Sequence, residues 1–444
     1  MAPTYVLVLL TLLGVGNGYI SRTTSYRWRN QALNTQEDAE NSNEEVDRLA
    51  WIATSSIPPK TISSYTKSKV IATASNVIAS TITSLGISRN SAAYGSDEAV
   101  INKDEIKMPN SAYTTLGEGT KMCRILNGMW QTSGYHGYEP NKENAVAAMS
   151  KCANEGYSTF DLADIYGPAE DYVGSFCKGR LASPLAKDCQ FFTKWVPRPQ
   201  EITRKIVTEN IDKSLSRMKS ERLDLLQFHW WDYNNKYYYN AMAELMHLQQ
   251  DDKILNIGLT NFDTDHMVDL IEQNVPIVSN QVAFSVLDTR PLQKMVIASE
   301  EKGVKLLVYG SLLGGFLSSE WLGKPAPSMD SLTNVSLRKY LPWIYYWGGW
   351  TLFQELLLVL NTIAQKHSVS LSNVALKWVL DQPAVGGAIV GVRLGLKDHL
   401  SDNLNVFNLS LDSDDLAVIE AVQKKSKNLI NVFGDCGGEY RKRG

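Results

Sequence analysis

Four side chains capable of acid–base chemistry lie in or just after three successive apolar segments of the sequence. Asp161 and Tyr166 belong to DLADIYG, and Lys194 lies in FFTKW. His229 directly follows LDLLQF and precedes a pair of tryptophans. Each has an ordinary structural explanation alone, since an Asp can cap a helix and a Tyr beside Gly can fill a loop. An ammonium inside an aromatic strand is costly without a partner. Lys194 therefore favours a functional interpretation of the whole set.

Together these four residue types suit the reduction of a carbonyl by hydride transfer. The carbonyl oxygen must gain a proton, and a Tyr with an ordinary pKa of about 10 is a poor acid at neutral pH. A neighbouring Lys cation stabilises the phenolate, and an Asp holds that Lys charged and oriented. A His beside the same oxygen can donate a hydrogen bond and orient the substrate. Asp161, Tyr166, Lys194 and His229 supply these groups.

The elements that must position these residues alternate between short apolar runs and longer amphipathic segments. Strand–helix alternation predicts a parallel sheet covered by helices, and eight strands predict a closed (β/α)₈ TIM barrel with its chemistry at the carboxyl ends of the strands. The alternative, an open doubly wound sheet, lacks a G-x-G-x-x-G motif after the first strand. Amphipathic helices are predicted at Thr203–Met218 and Thr351–Ile363. The predicted strands are Arg124–Trp130, Thr159–Ala163, Gln190–Trp195, Asp224–His229, Ile254–Leu259, Ile277–Val282, Lys305–Tyr309 and Ala388–Val392.

A set of motifs in this region resembles the aldo/keto reductase superfamily. The motifs occur in the family's order over roughly Gly117 to Ser426, and they are FDLADIYG with a Glu soon after, TKW, FHW, IGLTNFD, SNQVAFS, LLVYGSLLGGFL and IVGVRLGLKDHLSDNL. The resemblance implies that Tyr166 is the proton donor and Lys194 its activator. It also implies that Asp161 holds Lys194 and that His229 orients the carbonyl.

The same resemblance implies a nicotinamide-cofactor site on the later strands. The family's Ser-Asn pair and Gln, which hold the nicotinamide carboxamide, match Thr260, Asn261 and Gln281. The family's stacking Tyr matches Tyr309. The small-residue loop that follows is expected along the pyrophosphate, where the backbone can approach closely, although a flexible barrel loop is the alternative. Its cofactor-binding members are Gly310, Ser311, Leu312 and Gly314.

A basic residue after the eighth strand distinguishes NADPH from NADH in this family. Its spacing from Asn403, which is also assigned to the cofactor site, places Arg393 at the position of this basic residue. The sequence departs from the family at Leu394, where a Ser is usual, and at His399, where a second Arg is usual. One arginine can still form a bidentate phosphate contact. NADPH/NADP⁺ is therefore favoured, with NADH as the alternative.

The substrate side is expected to be aromatic. Trp130 and Trp230 match positions that line the family's pocket, and aromatic walls suit a planar carbonyl or a sugar face. An insertion rich in aromatic residues follows at Ser318 to Trp350. It could be a lid, a partner surface or packing on the barrel. The partner implied is a small carbonyl or alcohol compound.

Composition excludes several other classes of function. The net charge of -3 gives no basis for a nucleic-acid partner or an anionic membrane surface. The five cysteines include no C-x-x-C pair, which argues against a zinc ribbon, a thioredoxin-type site or a dense disulfide framework. No metal site is predicted.

The amino-terminal region is predicted to be a leader. Residues 1–18 include an apolar run, Tyr5 to Val15, that is too short to span a bilayer and typical of a signal peptide. Residues 19–110 are predicted to be transit-like or a disordered linker, because residues 51–96 are rich in Ser and Thr and contain no Asp or Glu. This favours a plastid, although an acidic patch from Glu37 to Asp47 does not fit, and a secreted or lumenal protein is the alternative. The barrel with its C-terminal tail is assigned to residues 111–444, without membrane association after processing.

Two functional alternatives remain open on the sequence. A regulatory or non-catalytic nicotinamide-binding barrel can retain all four residues. A sugar or alcohol dehydrogenase can use the same residues in the oxidative direction.

Overall fold

The eight predicted strands form a closed parallel barrel in the computed structural model, which describes residues 108–137, 139–396 and 399–441. The (β/α)₈ fold is thereby confirmed. Residues 1–107, which hold most of the predicted leader, lie outside the described part of the chain. In chain order, after an amino-terminal hairpin of β1 (Tyr113–Leu116) and β2 (Thr120–Cys123), the strands are β3 (Ile125–Gly128), β4 (Thr159–Asp161), β5 (Gln190–Trp195), β6 (Leu225–His229), β7 (Ile257–Thr260), β8 (Ile277–Ala283), β9 (Lys305–Tyr309) and β10 (Val385–Gly391). The strand order around the barrel is β10-β3-β4-β5-β6-β7-β8-β9.

The hairpin closes the amino-terminal end of the barrel. Leu116 and Met122 pack against Leu126, Phe192 and other inward side chains at that end. Its turn is held by Asn256, which donates to the Thr120 hydroxyl at 3.0 Å and accepts from the backbone N–H of residue 118 at 3.2 Å. The predicted strand Ile254–Leu259 begins later in the structure, at Ile257, although the Asn256 carbonyl still accepts a hydrogen bond from the Leu226 N–H of the neighbouring strand at 3.0 Å.

Helices cover the barrel, and the two predicted ones are present. Thr203 caps the third helix by accepting a hydrogen bond from the Ile206 N–H at 3.4 Å. None of the helices in the described part of the chain is long and apolar enough to cross a membrane. The helices are α1 (Lys142–Asn154), α2 (Ala169–Cys177), α3 (Arg204–Met218), α4 (Tyr237–Gln250), α5 (Thr264–Glu272), α6 (Met295–Lys302), α7 (Val335–Trp347), α8 (Gly349–His367), α9 (Leu371–Leu380), α10 (Leu400–Leu404), α11 (Ser413–Gln423) and α12 (Ile430–Phe433).

The aromatic insertion folds mainly as α7 and the start of α8. Tyr340, Trp343 and Trp347 are buried on α7, so most of its aromatic surface packs on the protein. Tyr345 is an exception and is half exposed. Of the three roles considered for this insertion, packing accounts for these buried rings.

The last described residues, Asp435–Arg441, form a segment across the carboxyl end of the barrel, which we call the C-terminal segment. Buried Arg290 anchors it, because its guanidinium donates to Glu439 at 2.8 Å and to Asp288 at 2.8 and 2.9 Å. The Thr264 backbone N–H donates to Asp435 at 2.9 Å. The segment is thus fixed at the barrel mouth by buried charge pairs.

Candidate active site

A cavity of about 440 Å³ opens at the carboxyl ends of the barrel strands. All four residues singled out by the sequence line it, and they come from three consecutive strands or the loops that follow them. Because parallel strands end at the same edge, residues separated by 68 positions in the chain become neighbours, as Asp161 and His229 do. The structure therefore brings Asp161, Tyr166, Lys194 and His229 together.

Lys194 and Asp161 form a buried ion pair on adjacent strands. The Lys194 ammonium donates to the Asp161 carboxylate at 2.7 Å and to the Leu162 carbonyl at 2.7 Å. Both side chains are only 3% exposed. Burial lowers the pKa of Lys194, and the Asp161 carboxylate opposes that shift. The carboxylate thus keeps a cation in an otherwise unfavourable place.

The second oxygen of Asp161 is held by two glutamines. The side-chain amide of Gln227 donates to it at 3.0 Å and that of Gln281 at 2.8 Å. The same Gln281 nitrogen lies 2.6 Å from the Gln227 side-chain oxygen. Gln227 was not predicted, although it precedes His229 by two residues and so shares its strand face. This alternation is the sequence signal that could have found it.

Tyr166 lies directly beside this charged pair. The Lys194 nitrogen is 4.9 Å from the centroid of the Tyr166 ring. Burial raises the pKa of Tyr166 well above its usual value, and the Asp161 charge raises it further. The phenol is therefore protonated at neutral pH, as a proton donor must be, while the adjacent Lys194 cation favours the phenolate that proton transfer leaves.

His229 is buried beneath aromatic rings at the end of β6. Its Nε2 lies 3.4 Å from the Asn261 amide nitrogen. The Trp231 ring lies 3.9 Å away between centroids, and the Tyr440 ring lies 5.7 Å away. The imidazole is consequently oriented by Asn261, which directly follows β7, by Trp231, and by Tyr440 of the C-terminal segment.

The residues expected to hold a nicotinamide lie along one part of the cavity wall. Thr260, Asn261, Gln281 and Tyr309 all line it. The Tyr309 hydroxyl donates to the Asn261 side-chain oxygen at 2.8 Å. The Thr260 hydroxyl is buried without a hydrogen-bond partner among the described residues. A buried hydroxyl left unpaired is unfavourable, and a carboxamide offers the oxygen and N–H groups that these side chains can pair with. The wall therefore fits a nicotinamide carboxamide.

The loop that follows β9 lines the same cavity and includes Ser311 and Leu312. Arg393, which follows β10, also lines it. Gly314 has a φ of +65°, and a Cβ there would lie 2.8 Å from the Ser336 backbone. Glycine is thus required where α7 approaches the loop. Among the described residues, no carboxylate forms an ion pair with Arg393. Burial lowers the pKa of His136 to about 4, with a further contribution from the Arg393 charge, so this neighbour adds no positive charge at neutral pH.

Asn403 lies apart from the other predicted cofactor residues. It is buried in α10 and does not line the cavity. Gly310 does line it, with a φ of +72°.

Of the two tryptophans predicted for the substrate pocket, one lines the cavity and the other does not. Trp130 lines the cavity, but Trp230 does not. Trp230 stacks on Phe228 with centroids 5.8 Å apart, and its indole N–H points to the carbonyls of Asp232 and Asn235. Trp231 lines the cavity in its place. Side chains alternate along a strand and its extension, so the residue after inward-facing His229 points away.

Two further cavity residues were missed from the sequence. Lys339 comes from α7 and Tyr440 from the C-terminal segment, and both line the cavity. The Lys339 ammonium donates to the Tyr440 hydroxyl at 2.5 Å. Neither belongs to a barrel strand, so strand periodicity carries no signal for them.

A model of the aldo/keto reductase family matches residues 124–424. The chain belongs to this family. It is therefore an oxidoreductase of carbonyl and alcohol groups, and the resemblance drawn from the motifs is confirmed. The match covers every strand of the barrel from β3 to β10.

Among known proteins, the chain is similar to L-glyceraldehyde 3-phosphate reductase of Escherichia coli O157:H7, with 26% identity over 68% of this chain and 89% of that protein. It is also similar to flagellar radial spoke protein 5 of Chlamydomonas reinhardtii, with 33% identity over 36% of this chain. The matched region spans only 34% of that protein's length. The solved structure of a glycerol dehydrogenase from Gluconobacter oxydans has the same fold, with a TM-score of 0.59, 23% identity and coverage of 74% of this chain and 98% of that one.

Proposed function

We propose that this protein is an NADP(H)-dependent reductase of aldehydes or ketones, with Tyr166 as the proton donor. The observation that carries the proposal is the position of Lys194, whose ammonium is 2.7 Å from Asp161 and 4.9 Å from the Tyr166 ring centroid. A lysine fixed between a carboxylate and a phenol stabilises the phenolate that remains after proton transfer.

The proton moves from the Tyr166 hydroxyl to the carbonyl oxygen of the substrate. Lys194 stabilises the resulting phenolate, and Asp161 keeps Lys194 charged while the two glutamines hold Asp161 in place. His229 orients the carbonyl oxygen by a hydrogen bond. A bound reduced nicotinamide supplies the hydride. In this proposal the rings of Trp130 and Trp231, which line the cavity, limit the access of water to the reacting atoms.

The cofactor is held by three groups of residues in this proposal. Thr260, Asn261 and Gln281 would hold the carboxamide, and Tyr309 would pack on the nicotinamide ring. The backbone of Gly310–Gly315 would hold the pyrophosphate. Arg393, a cavity-lining cation whose charge is not paired within the described residues, would bind the ribose 2′-phosphate.

Turnover with both cofactors tests the proposal. Purified protein is mixed with NADPH or NADH and a panel of aldehydes, and absorbance of the reduced cofactor is followed. We expect NADPH to be consumed with kcat/KM at least tenfold above that with NADH. Tight binding of NADPH without consumption by any aldehyde, or without its formation from any alcohol, would contradict the proposal and favour a regulatory barrel.

A further inference from the structure

Lys339 is a cation inside the catalytic cavity whose role the proton-transfer scheme leaves unassigned. Its ammonium donates to the Tyr440 hydroxyl at 2.5 Å. The rings of Trp130, Tyr309, Tyr340 and Tyr440 surround it, with centroids 5.0 to 5.8 Å from the nitrogen. An aromatic cage of this kind holds a cation in position.

Within the described part of the chain, no carboxylate neutralises this cation directly. Among the described residues, Lys339 forms no ion pair. The nearby Glu439 is instead bound by Arg290 at 2.8 Å and approached by the Tyr309 hydroxyl at 3.3 Å. A lysine ammonium has three donors, and Tyr440 takes one. Burial lowers the pKa of Lys339, but Tyr340, Tyr440 and Glu439 raise it by more, so the side chain stays charged at neutral pH.

Lys339 lies near the residues that are proposed to carry out the reaction. Tyr440, its hydrogen-bond partner, belongs to the small buried cluster against which Tyr166, the proposed acid, packs. The Tyr440 ring is also 5.7 Å from the His229 ring and 5.9 Å from the Trp231 ring. Trp130, which matches a substrate-pocket position, forms another side of the cage. An anion bound to Lys339 therefore lies beside the carbonyl position.

We propose that Lys339 is a specificity-determining residue that binds an anionic group, a carboxylate or a phosphate, on the carbonyl substrate. This inference rests on the proposed function, and it names the substrate class as anionic aldehydes or ketones. Tyr440 is a positioning residue, because it holds the ammonium through one hydrogen bond. The charge pair with the substrate compensates the cost of keeping Lys339 desolvated.

Two aldehydes that differ only in charge test the inference. In the full-length protein, kcat/KM is measured for 4-formylbenzoate and for its methyl ester, with NADPH as cofactor. Lys339→Met should lower the acid-to-ester ratio of kcat/KM roughly ten- to a hundredfold, mainly through KM of the acid. Lys339→Arg should restore most of the ratio, since the charge returns.

Two control variants separate charge from structure. Tyr440→Phe removes the hydrogen bond but keeps the ammonium, so the acid-to-ester ratio should remain within about threefold of the natural protein's, well short of the ten- to hundredfold loss. Lys324→Met changes an exposed lysine of the same insertion that does not line the cavity, and the ratio should not change. An unchanged ratio in Lys339→Met, or an equal loss in Lys324→Met, would overturn the inference.

Binding measurements show whether Lys339 binds an anionic substrate group or the cofactor pyrophosphate. They also test the anion site separately from the proposed reductase activity. If Lys339→Met weakens NADPH and NADH equally and leaves the acid-to-ester ratio unchanged, the ammonium binds the cofactor pyrophosphate and the inference is wrong. If no aldehyde is reduced, benzoate binding followed by tryptophan fluorescence still tests Lys339. Benzoate affinity that falls at least tenfold in Lys339→Met would then support the anion site while the proposed function fails, and an unchanged affinity would refute both.

Discussion

Asp161 organises the polar groups beside the proposed acid, because both of its carboxylate oxygens accept hydrogen bonds from them. One oxygen accepts from Lys194 and the other from Gln227 and Gln281. These hydrogen bonds fix the position of the Asp161 carboxylate. Its charge holds Lys194 as a cation and at the same time raises the pKa of Tyr166. The phenol therefore keeps its proton until a substrate oxygen takes it.

Substitution of Tyr166 should separate chemistry from binding. Tyr166→Phe keeps the ring and its packing but removes the hydroxyl, so carbonyl reduction should fall at least roughly 10²- to 10⁴-fold while NADPH affinity survives. Lys194→Met should act on the same step, and the double variant should be little worse than either single one. Steady-state kinetics and cofactor titration check this. Near-normal turnover by Tyr166→Phe, or fully additive losses, would show that another group is the acid.

The raised pKa of Tyr166 predicts different pH profiles for carbonyl reduction and for alcohol oxidation. Reduction needs the phenol, so its kcat/KM should stay within about twofold between roughly pH 6 and 9. Oxidation of the alcohol needs the phenolate, so its kcat/KM should rise about tenfold per pH unit below that pKa. Initial rates in buffers of constant ionic strength give both profiles. A fall in reduction with an apparent pKa near 7 would assign the acid to His229 instead.

The two ends of the proposed cofactor site should respond differently to substitution. Arg393→Ala removes a charge-assisted phosphate contact, so NADPH affinity should fall roughly ten- to a hundredfold while NADH affinity changes little. Thr260→Val removes a hydroxyl that has no partner among the described residues. It should weaken NADPH and NADH equally and leave the Tm unchanged or slightly higher. Fluorescence titrations measure both affinities. Equal loss of the two cofactors in Arg393→Ala would assign Arg393 to loop structure.

At the scale of elements, the barrel strands were predictable and the elements at the mouth were not. Strands such as Gln190–Trp195 and Lys305–Tyr309 match the prediction at both ends, because short apolar runs between helices have few alternatives. The hairpin β1–β2 and the C-terminal segment depend on contacts with residues distant in sequence, such as Asn256 and Arg290. Local patterns carry no record of such contacts. Lys339 and Tyr440 were missed for the same reason, whereas the alternation of side chains that continues from His229 could have identified Trp231.

The C-terminal segment should depend on Arg290 for its position. Arg290→Met leaves the buried carboxylates of Asp288 and Glu439 without their partner, which typically costs about 3–5 kcal/mol in the free energy of unfolding. Urea denaturation measures this loss, and hydrogen exchange of residues 435–441 should accelerate. Adding Asp288→Asn and Glu439→Gln to Arg290→Met should recover much of the stability.

An exposed pair provides the matched control for that prediction. Lys294 lies 3.7 Å from Asp265, with both side chains more than half exposed. Lys294→Met should therefore change the free energy of unfolding by less than about 1 kcal/mol. If Arg290→Met were no more destabilising than Lys294→Met, the buried pairs would not be what anchors the segment.

For the whole molecule, the barrel carries the residues proposed for the chemistry, and the amino-terminal sequence carries the features that bear on destination. Lys339, Tyr440 and the four proposed residues all lie in the part of the chain that the structure describes, from residue 108 onward. The sequence before it has an apolar run followed by an acid-poor, Ser/Thr-rich stretch. We therefore propose delivery through the secretory route, with a plastid as the destination and a secreted or lumenal fate as the alternative.

Mass spectrometry of the native protein tests this proposal directly. We expect residues 1–18 to be absent and the first residue to lie at or beyond Tyr19. The two sequons give a further test of compartment, because they differ in structure. Asn408 is exposed, whereas the Asn334 side chain accepts from the Ser336 N–H at 2.8 Å and lines the cavity. A glycan on Asn408 with Asn334 unmodified would support the secreted or lumenal fate. Detection of Met1 in the native protein would show that the leader is not removed and would refute the proposal.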